Sequence, residues 1–320
     1  LNSPHQKRIS FRHLLAVLSN WLIIAASISA SLYTQNALVT VLALVLIGAR
    51  QHALVVMMHE AAHVQFAGNK NLNDWLSNLF CAFPLFLETD VYRKVHLAHH
   101  RHLNTPQDPD LLRKQRQSGW NLPASRRQVA MFIPAFIFAL GPKEMASLLW
   151  GFSGFGDRKR WTAEPRFMLI KTSYYAAIAA LAYSFGAAGA LAFYWFIPLL
   201  FVLPFVARVR NLSEHSVLTL ENDNNASREV VPGWIERFLL APHHVHYHLT
   251  HHHYPHIPFY RLRETHLELR SSGKYDDAHI NTSYFFPYNN SVLADVIHGP
   301  HHKNLALEKK SERKSGKEAA

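Results

Sequence analysis

Histidine is the residue whose placement could carry chemistry. Of 23, two lie in His59-Glu60-Ala61-Ala62-His63, four in His96-Leu97-Ala98-His99-His100-Arg101-His102, and eight between His243 and His256. On a helix, residues three and four apart share a face, so His59 and His63 turn toward one point, and His96 meets His99 and His100 by the same rule. The third cluster offers several registers. The segment His248-Leu249-Thr250-His251-His252 repeats the spacing of the second, and that register is the one expected to act. Eight imidazoles, in a chain with one cysteine (Cys81) and no second ExxH carboxylate motif, are too many for a catalytic zinc, which takes about three protein ligands. They suit two ions of borderline softness, and iron is the natural one if the task is O2 activation.

The elements that must bring these clusters together are apolar. Leu14 to Tyr33 is nearly continuous apolar sequence, and after Thr34-Gln35-Asn36 it resumes from Ala37 to Met58, interrupted at Arg50-Gln51-His52. A second block mirrors it, from Phe167 to Phe185 and, after Gly186-Ala187-Ala188-Gly189, from Ala190 to Ala207. Each run suits a helix across a hydrocarbon core about 30 Å thick. The fold expected is therefore all-α and integral to the membrane, with four transmembrane helices as two hairpins and a helical cap holding the histidines. A weaker stretch, Val129 to Leu140, is ended by Gly141-Pro142 and reads as an interfacial or buried helix. Arg50 and His52 are expected to line the protein interior or to snorkel.

Net charge is +11 and is excluded from the two interhelical turns, so both termini and the central region are expected to be cytosolic by the positive-inside rule. The basic excess then reads as contact with anionic lipid, with no nucleic acid as partner. The single cysteine excludes a disulfide framework and an iron–sulfur cluster. Residues 1–13 form a basic arm, the first apolar block is read as a retained span, and the charged segment 301–320 is expected to be disordered.

The pattern HxxxH, HxxHH, HxxHH around two hydrophobic hairpins resembles the membrane fatty-acid desaturase and hydroxylase superfamily. Asp108-Pro109-Asp110 after the second cluster strengthens the likeness, as does the run His251-His252-His253-Tyr254-Pro255-His256-Ile257-Pro258-Phe259-Tyr260-Arg261-Leu262. The resemblance implies a membrane domain over 14–300 and a site of two iron ions held by His59, His63, His96, His99, His100, His248, His251 and His252. Within it, Asn211-Leu212-Ser213-Glu214-His215 has the NxxxH spacing that adds His215 and, directly or through water, Asn211. It implies a lipid acyl substrate in a narrow apolar tunnel, membrane lipids as surroundings, and an external electron donor of ferredoxin, cytochrome b5 or rubredoxin type. A bacterial inner membrane is the expected location.

Desaturation is the expected reaction, with lipid hydroxylation or 1-alkene-forming decarboxylation as alternatives on the same site. A reading of another class is an intramembrane zinc metalloprotease, because His59-Glu60-Ala61-Ala62-His63 matches HExxH and Glu60 would activate water. Glu60, Glu214, Asp108 and Asp110 are expected to offset metal charge or orient ligand imidazoles. Arg93, Lys94, Arg113, Lys114 and Arg116 are expected to offer a docking face for an acidic carrier. His102, His243, His244, His246, His253 and His256 are left without an assigned role.

Overall fold

The computed structural model describes residues 9–116 and 122–299. The basic arm up to residue 8 and the segment 301–320 lie outside the described residues. The principal helices are α1 (Phe11–Thr34), α2 (Ala37–Ala62), α3 (Lys70–Ser77), α4 (Thr89–Arg101) and α5 (Pro109–Arg116). They are followed by α6 (Arg126–Phe152), α7 (Pro165–Ser184), α8 (Ala188–His215), α9 (His248–His253) and α10 (Phe259–Ser271). The only named strands among the described residues are a parallel pair, Glu229–Val230 with Ile280–Asn281.

The first hairpin is closed by a two-residue turn. Gln35 takes the left-handed conformation and returns its N–H to Ser31, and Asn36 caps α2 by accepting from the N–H groups of Leu38 and Val39. At that end Ser31 Oγ lies 2.7 Å from Thr40 Oγ1 and 2.8 Å from the Tyr194 hydroxyl, which joins α1 and α2 to the start of α8. At the opposite end the Ser10 N–H reaches Phe66 O at 2.8 Å, and His13 Nε2 lies 3.2 Å from Glu60 Oε2. Thus α1 and α2 run antiparallel, and the end of α2 that carries His59 is the end where α1 begins.

Among the described residues four helices are long and apolar enough to cross a membrane: α1, α2, α6 and α8. This differs from the sequence expectation in one place. The apolar run expected at 167–185 is helical as α7, but Lys171, Tyr174, Tyr175 and Tyr183 lower its hydropathy. The stretch expected to stop at Gly141-Pro142 instead continues as α6 to Phe152. A π-turn over Phe136–Leu140 precedes that pair, with the Gly141 N–H bonded to Phe136 O, so the backbone accommodates a proline without ending the helix.

Both ends of α6 touch elements near the histidines. Just before it the Ala124 N–H donates to Val296 O at 2.9 Å, and at its end Phe152 meets Tyr92 with ring centroids 6.1 Å apart. By contrast α7 is anchored at that level by Lys171, 3.2 Å from Glu88, and turns into α8 at the other end.

Helices α2 and α8 pack at Gly48. A Cβ there would lie 2.4 Å from Val202 Cβ, closer than real side chains approach, so the two backbones meet only because Gly48 has no side chain. Gly48→Leu should destabilise the protein by roughly 1–3 kcal/mol through overpacking. Thermal unfolding in detergent should show a lower Tm for Gly48→Leu and a partial recovery in Gly48→Ala combined with Val202→Ala; a Gly48→Leu protein of unchanged Tm would contradict this contact.

Candidate metal centre

Two long helices deliver ligands at their C-terminal ends, where the last carbonyls lack intrahelical partners. At the end of α2, which carries His59 with His63 at its C-cap, buried Arg93 from α4 supplies them. Its Nε donates to Ala62 O at 2.9 Å and its Nη2 to Ala61 O at 2.8 Å, while Asp74 from α3 holds the guanidinium from behind. At the end of α8, which carries His215, fully buried Arg228 donates to Ser213 O, Ser216 O and Val217 O at 2.9–3.1 Å and pairs with Asp295. Helix α4 carries His96, His99 and His100 on one face. Helix α9 carries His248, His251 and His252, and at its start Glu229 accepts the Thr250 N–H at 2.9 Å.

The nine histidines form two adjoining groups. His59, His63, His96, His100 and His251 have ring nitrogens within 4.8 Å of one another; His99, His215 and His252 form a second group, extended by His248 and Glu214 through His215. Neighbouring Nε2 atoms are 2.9 Å apart for His63 and His96, 3.0 Å for His96 and His100, and 3.1 Å for His100 and His251. In the second group the separations are 3.2 Å for His99 and His215, 2.9 Å for His215 and His248, and 3.1 Å for His248 and His252.

Converging imidazoles cannot all donate to one another. With ligand nitrogens about 2.1 Å from an ion, ligands at right angles sit about 3.0 Å apart and tetrahedral ones about 3.4 Å. The observed spacing fits right-angle pairs around an ion of five or six ligands. His59 adds a second sign: both its ring nitrogens are buried and have no hydrogen-bond partner among the described residues. A buried polar group left so costs about 1–3 kcal/mol, which a metal bond would offset. The donor set therefore fits two metal ions.

The carboxylates divide. Asp108 Oδ1 bonds His99 Nδ1 at 2.9 Å and so orients that ring with its other nitrogen toward the group, whereas Glu214 Oε1 is bonded by Arg210 and lies 3.2 Å from His248 Nδ1 as a nearby negative charge. Burial pushes the Asp108 carboxyl up, but hydrogen bonds from His99 and two backbone N–H groups bring it below its usual value. Glu60 does something else. Its Oε2 accepts the Phe259 N–H at 2.9 Å and faces His13, tying α1, α2 and α10 together. Asp110 pairs with Arg113 and accepts a 3.3 Å bond from Asn211 Nδ2. Asn211 lies one helical turn before His215, and its Oδ1 is buried without a partner among the described residues.

Several expectations change. Arg93 and Lys114 are buried and Arg113 is half-buried, so they form no open docking face; the reason is that Arg93 serves the end of α2 and the other two pair with Asp110. Lys94 is exposed, and the side chain of Arg116 lies outside the described residues. Arg50 does not snorkel: it is buried over the Phe238 ring, 4.2 Å from its centroid, and donates to Phe238 O. None of His102, His243, His244, His246, His253 or His256 joins either group. His243 bonds Asn20 at 2.9 Å, and His253 lies beside Tyr275. Arg228, His13 and Glu229 escaped the sequence reading and Arg93 was given another role in it, since isolated polar residues with distant partners leave no periodic signal.

The fatty acid desaturase model matches residues 36–284, a stretch that contains both groups. The chain belongs to the fatty acid desaturase family. It is similar to the dihydrorhizobitoxine desaturase of Bradyrhizobium elkanii, 30% identical over 234 residues, which cover 70% of this chain and 65% of that protein. The chain thus spans just under two thirds of that relative's length. The family is one generally dependent on iron, which the histidine groups could hold, and the four apolar helices fit its membrane context.

Burial first, then neighbouring imidazoles, hold His96, His248, His251 and His252 well below the ordinary histidine value. Burial lowers His63 to about 4 and His100 to about 3. Neutral rings are the ligand form, so the site is ready for metal at neutral pH. In metal-free protein the unfolded chain takes up protons as pH falls through about 6.5, while the folded rings resist. Stability present above that pH is therefore lost on acidification: the Tm of metal-stripped protein should be lower at pH 5 than at pH 7.5, and an unchanged Tm would contradict the burial. Asp108→Asn and Glu214→Gln should each weaken iron retention by about 10–100-fold, read by metal analysis after graded chelation. His102→Ala and His253→Ala should leave iron content unchanged.

Proposed function

We propose that this protein is an O2-dependent desaturase of a lipid acyl chain. In this reading His59, His63, His96, His100 and His251 hold one iron, and His99, His215, His248 and His252 hold the second, with Asn211 beside it. The observation that carries the reading is the convergence of nine buried or half-buried imidazoles into two adjoining groups at right-angle ligand spacing. Two irons and O2 would supply the oxidising power to remove two hydrogens from an unactivated methylene pair, which side chains alone cannot do. The chain's own residues position and shield. Tyr92, stacked on His96 with centroids 5.4 Å apart, and Phe152 cover one side, and Met58, Val55 and Leu203 line the cavity below the ligands.

The contacts favour α1, α2, α7 and α8 as the crossing helices, each with one end beside the histidines and one at the far end. Helix α6 would then lie along the interface, since both its ends meet elements on the histidine side. That arrangement puts both ligand groups on one side of the bilayer, and the absence of Lys and Arg from the two far turns supports a cytosolic site. Electrons would come from a separate acidic carrier of ferredoxin, cytochrome b5 or rubredoxin type. The protease alternative is disfavoured because Glu60 Oε2 is engaged by Phe259 and His13, which keeps it from acting on a metal-bound water.

Protein purified from an expressing host should contain two irons per chain, and lipid mass spectrometry of that host should show products lighter by two hydrogens. Replacing any of His59, His63, His96, His99, His100, His248, His251 or His252 by Ala should lower iron content and abolish turnover in a protein that still inserts. One zinc per chain without iron would overturn the reading. A gain of one oxygen would indicate hydroxylation, and an alkene one carbon shorter would indicate decarboxylation.

A further inference from the structure

Between the strand Glu229–Val230 and helix α9 the chain makes a closed excursion. The Val230 N–H donates to His246 O at 3.1 Å, so the segment 231–245 leaves and returns at one place. It contains a short helix, Trp234–Leu240, and then reverses at Pro242-His243-His244. His243 and His244 both take the left-handed conformation, at φ 54° and 56°. That backbone is unfavourable for residues with a Cβ, so two in succession need contacts from outside the segment to hold them.

Those contacts give a depth. Buried Arg50 of α2 lies over the Phe238 ring and donates to Phe238 O, a carbonyl in the last turn of the short helix. His243 Nε2 lies 2.9 Å from Asn20 Nδ2 of α1. Arg50 is thirteen residues from the start of α2 and Asn20 fourteen from the end of α1, so each stands about 20 Å along its helix from the turn that joins them. Two contacts on separate helices thus mark one level. A hydrocarbon core about 30 Å thick that begins at that turn extends about 10 Å beyond this level, and a tilt of α1 and α2 places the level deeper still.

The surface of the excursion suits that place. Trp234, Ile235 and Phe238 share one side of the short helix and are 71, 54 and 38% exposed, although all three are large and apolar. The charged residues are kept off that side. Glu236 accepts the N–H groups of Tyr284, Phe285 and Phe286 at 2.8–3.2 Å, and Arg237 is exposed with a stem long enough to reach phosphate headgroups. Backbone at membrane depth needs its polar groups met by protein, and Arg50 meets Phe238 O. An arginine buried within a span is costly, and this carbonyl gives it a partner.

We propose that the segment 231–245 is a re-entrant element that enters the near leaflet of the bilayer and lays Trp234, Ile235 and Phe238 against lipid acyl chains. This rests on the reading of α1 and α2 as crossing helices, because the depth is measured along them. Ligand His248 follows His246, where the excursion closes, by two residues. Lipid on one side and Arg50 with Asn20 on the other therefore hold the stem from which α9 starts.

Cys81, the chain's only cysteine, is buried, so a cysteine placed on the surface takes a thiol-reactive bimane alone. The test uses full-length, iron-loaded Ile235→Cys protein in phosphatidylcholine nanodiscs, with and without bromine at the middle of the acyl chains. Leu22→Cys, at an exposed position on α1, reports a spanning surface, and Glu264→Cys, at an exposed position on α10, reports water. The Ile235 label, like the Leu22 label, should lose at least half its fluorescence in brominated lipid and little to aqueous iodide, and the Glu264 label should do the reverse. Trp234→Cys gives the same readout should Ile235→Cys fail to fold. Iodide quenching at Ile235 equal to that at Glu264 would overturn the proposal. So would shielding from both quenchers, and two chains per disc by mass would then identify a second copy of the chain as the occupant. A Leu22 label open to iodide defeats the crossing-helix reading and this inference together, whereas a Leu22 label quenched by lipid beside an Ile235 label that is not defeats only the inference.

Discussion

The ends of α2 and α8 set the terms for everything near the histidines. A helix ends with carbonyls that have no partner within it, and these two ends are buried under other protein elements. Two buried arginines resolve the problem. Arg93 takes the carbonyls of Ala61 and Ala62, and Arg228 takes those of Ser213, Ser216 and Val217. Because a guanidinium is planar and donates in a fixed fork, each arginine fixes the direction of the helix end as well as satisfying it. His63 follows the first set by one residue and His215 lies within the second, so ligand geometry is inherited from helix termination. The positive charge of each arginine also complements the negative end of the helix macrodipole.

The shorter ligand helices are held by the same kind of device in reverse. Helix α9 has only six residues and gains little from its own hydrogen bonds. Glu229 secures it by accepting from Thr250 at its first turn, while the far oxygen of that carboxylate faces His266 on α10. The start of α10 is in turn fixed by Glu60, which takes the Phe259 N–H. A carboxylate beside the first histidine cluster thus aligns the element that follows the third. These helix ends are joined by charge-assisted contacts, packed beside a buried apolar cluster that includes Val206, Val230, Leu240, Tyr284 and Val296.

Much of this was legible in sequence because it repeats. The spacing of His96, His99 and His100 and of His248, His251 and His252 follows the helical period, and the chosen register of the third cluster is the one that converges. The apolar runs gave α1, α2 and α8 to within a few residues at most boundaries, because a hydrophobic run long enough to span has few alternatives. Where the reading fell short, the cause was backbone detail. Gly141-Pro142 signals an end in any local reading, yet the π-turn before it lets α6 continue. Arg93 looked like surface charge because its true partners, two carbonyls more than thirty residues away, leave no mark in composition. The division of the clusters between two groups was likewise invisible: His96 and His100 go with His59, while His99, between them, turns to His215. On a helix that split follows from angle. Residues four apart are nearly eclipsed, and the residue between them is rotated to a neighbouring line of the same face.

That angular split bears on why the imidazoles form two groups and not one. If α4 offered all its imidazoles to one point, the rings of His96, His99 and His100 would crowd together. Instead the roughly 100° step between His99 and His100 separates their rings, whose centroids lie 6.0 Å apart. The same step separates His251 from His252 on α9, at 5.8 Å. Two helices facing each other with the same HxxHH spacing therefore each divide their ligands, and the two divided sets meet: His100 with His251, and His99 with His252. His59 and His63 complete the first set and His215 the second. The two groups are a consequence of placing adjacent histidines on opposed helices, and the adjacency is the part of the pattern that an HExxH pair alone lacks.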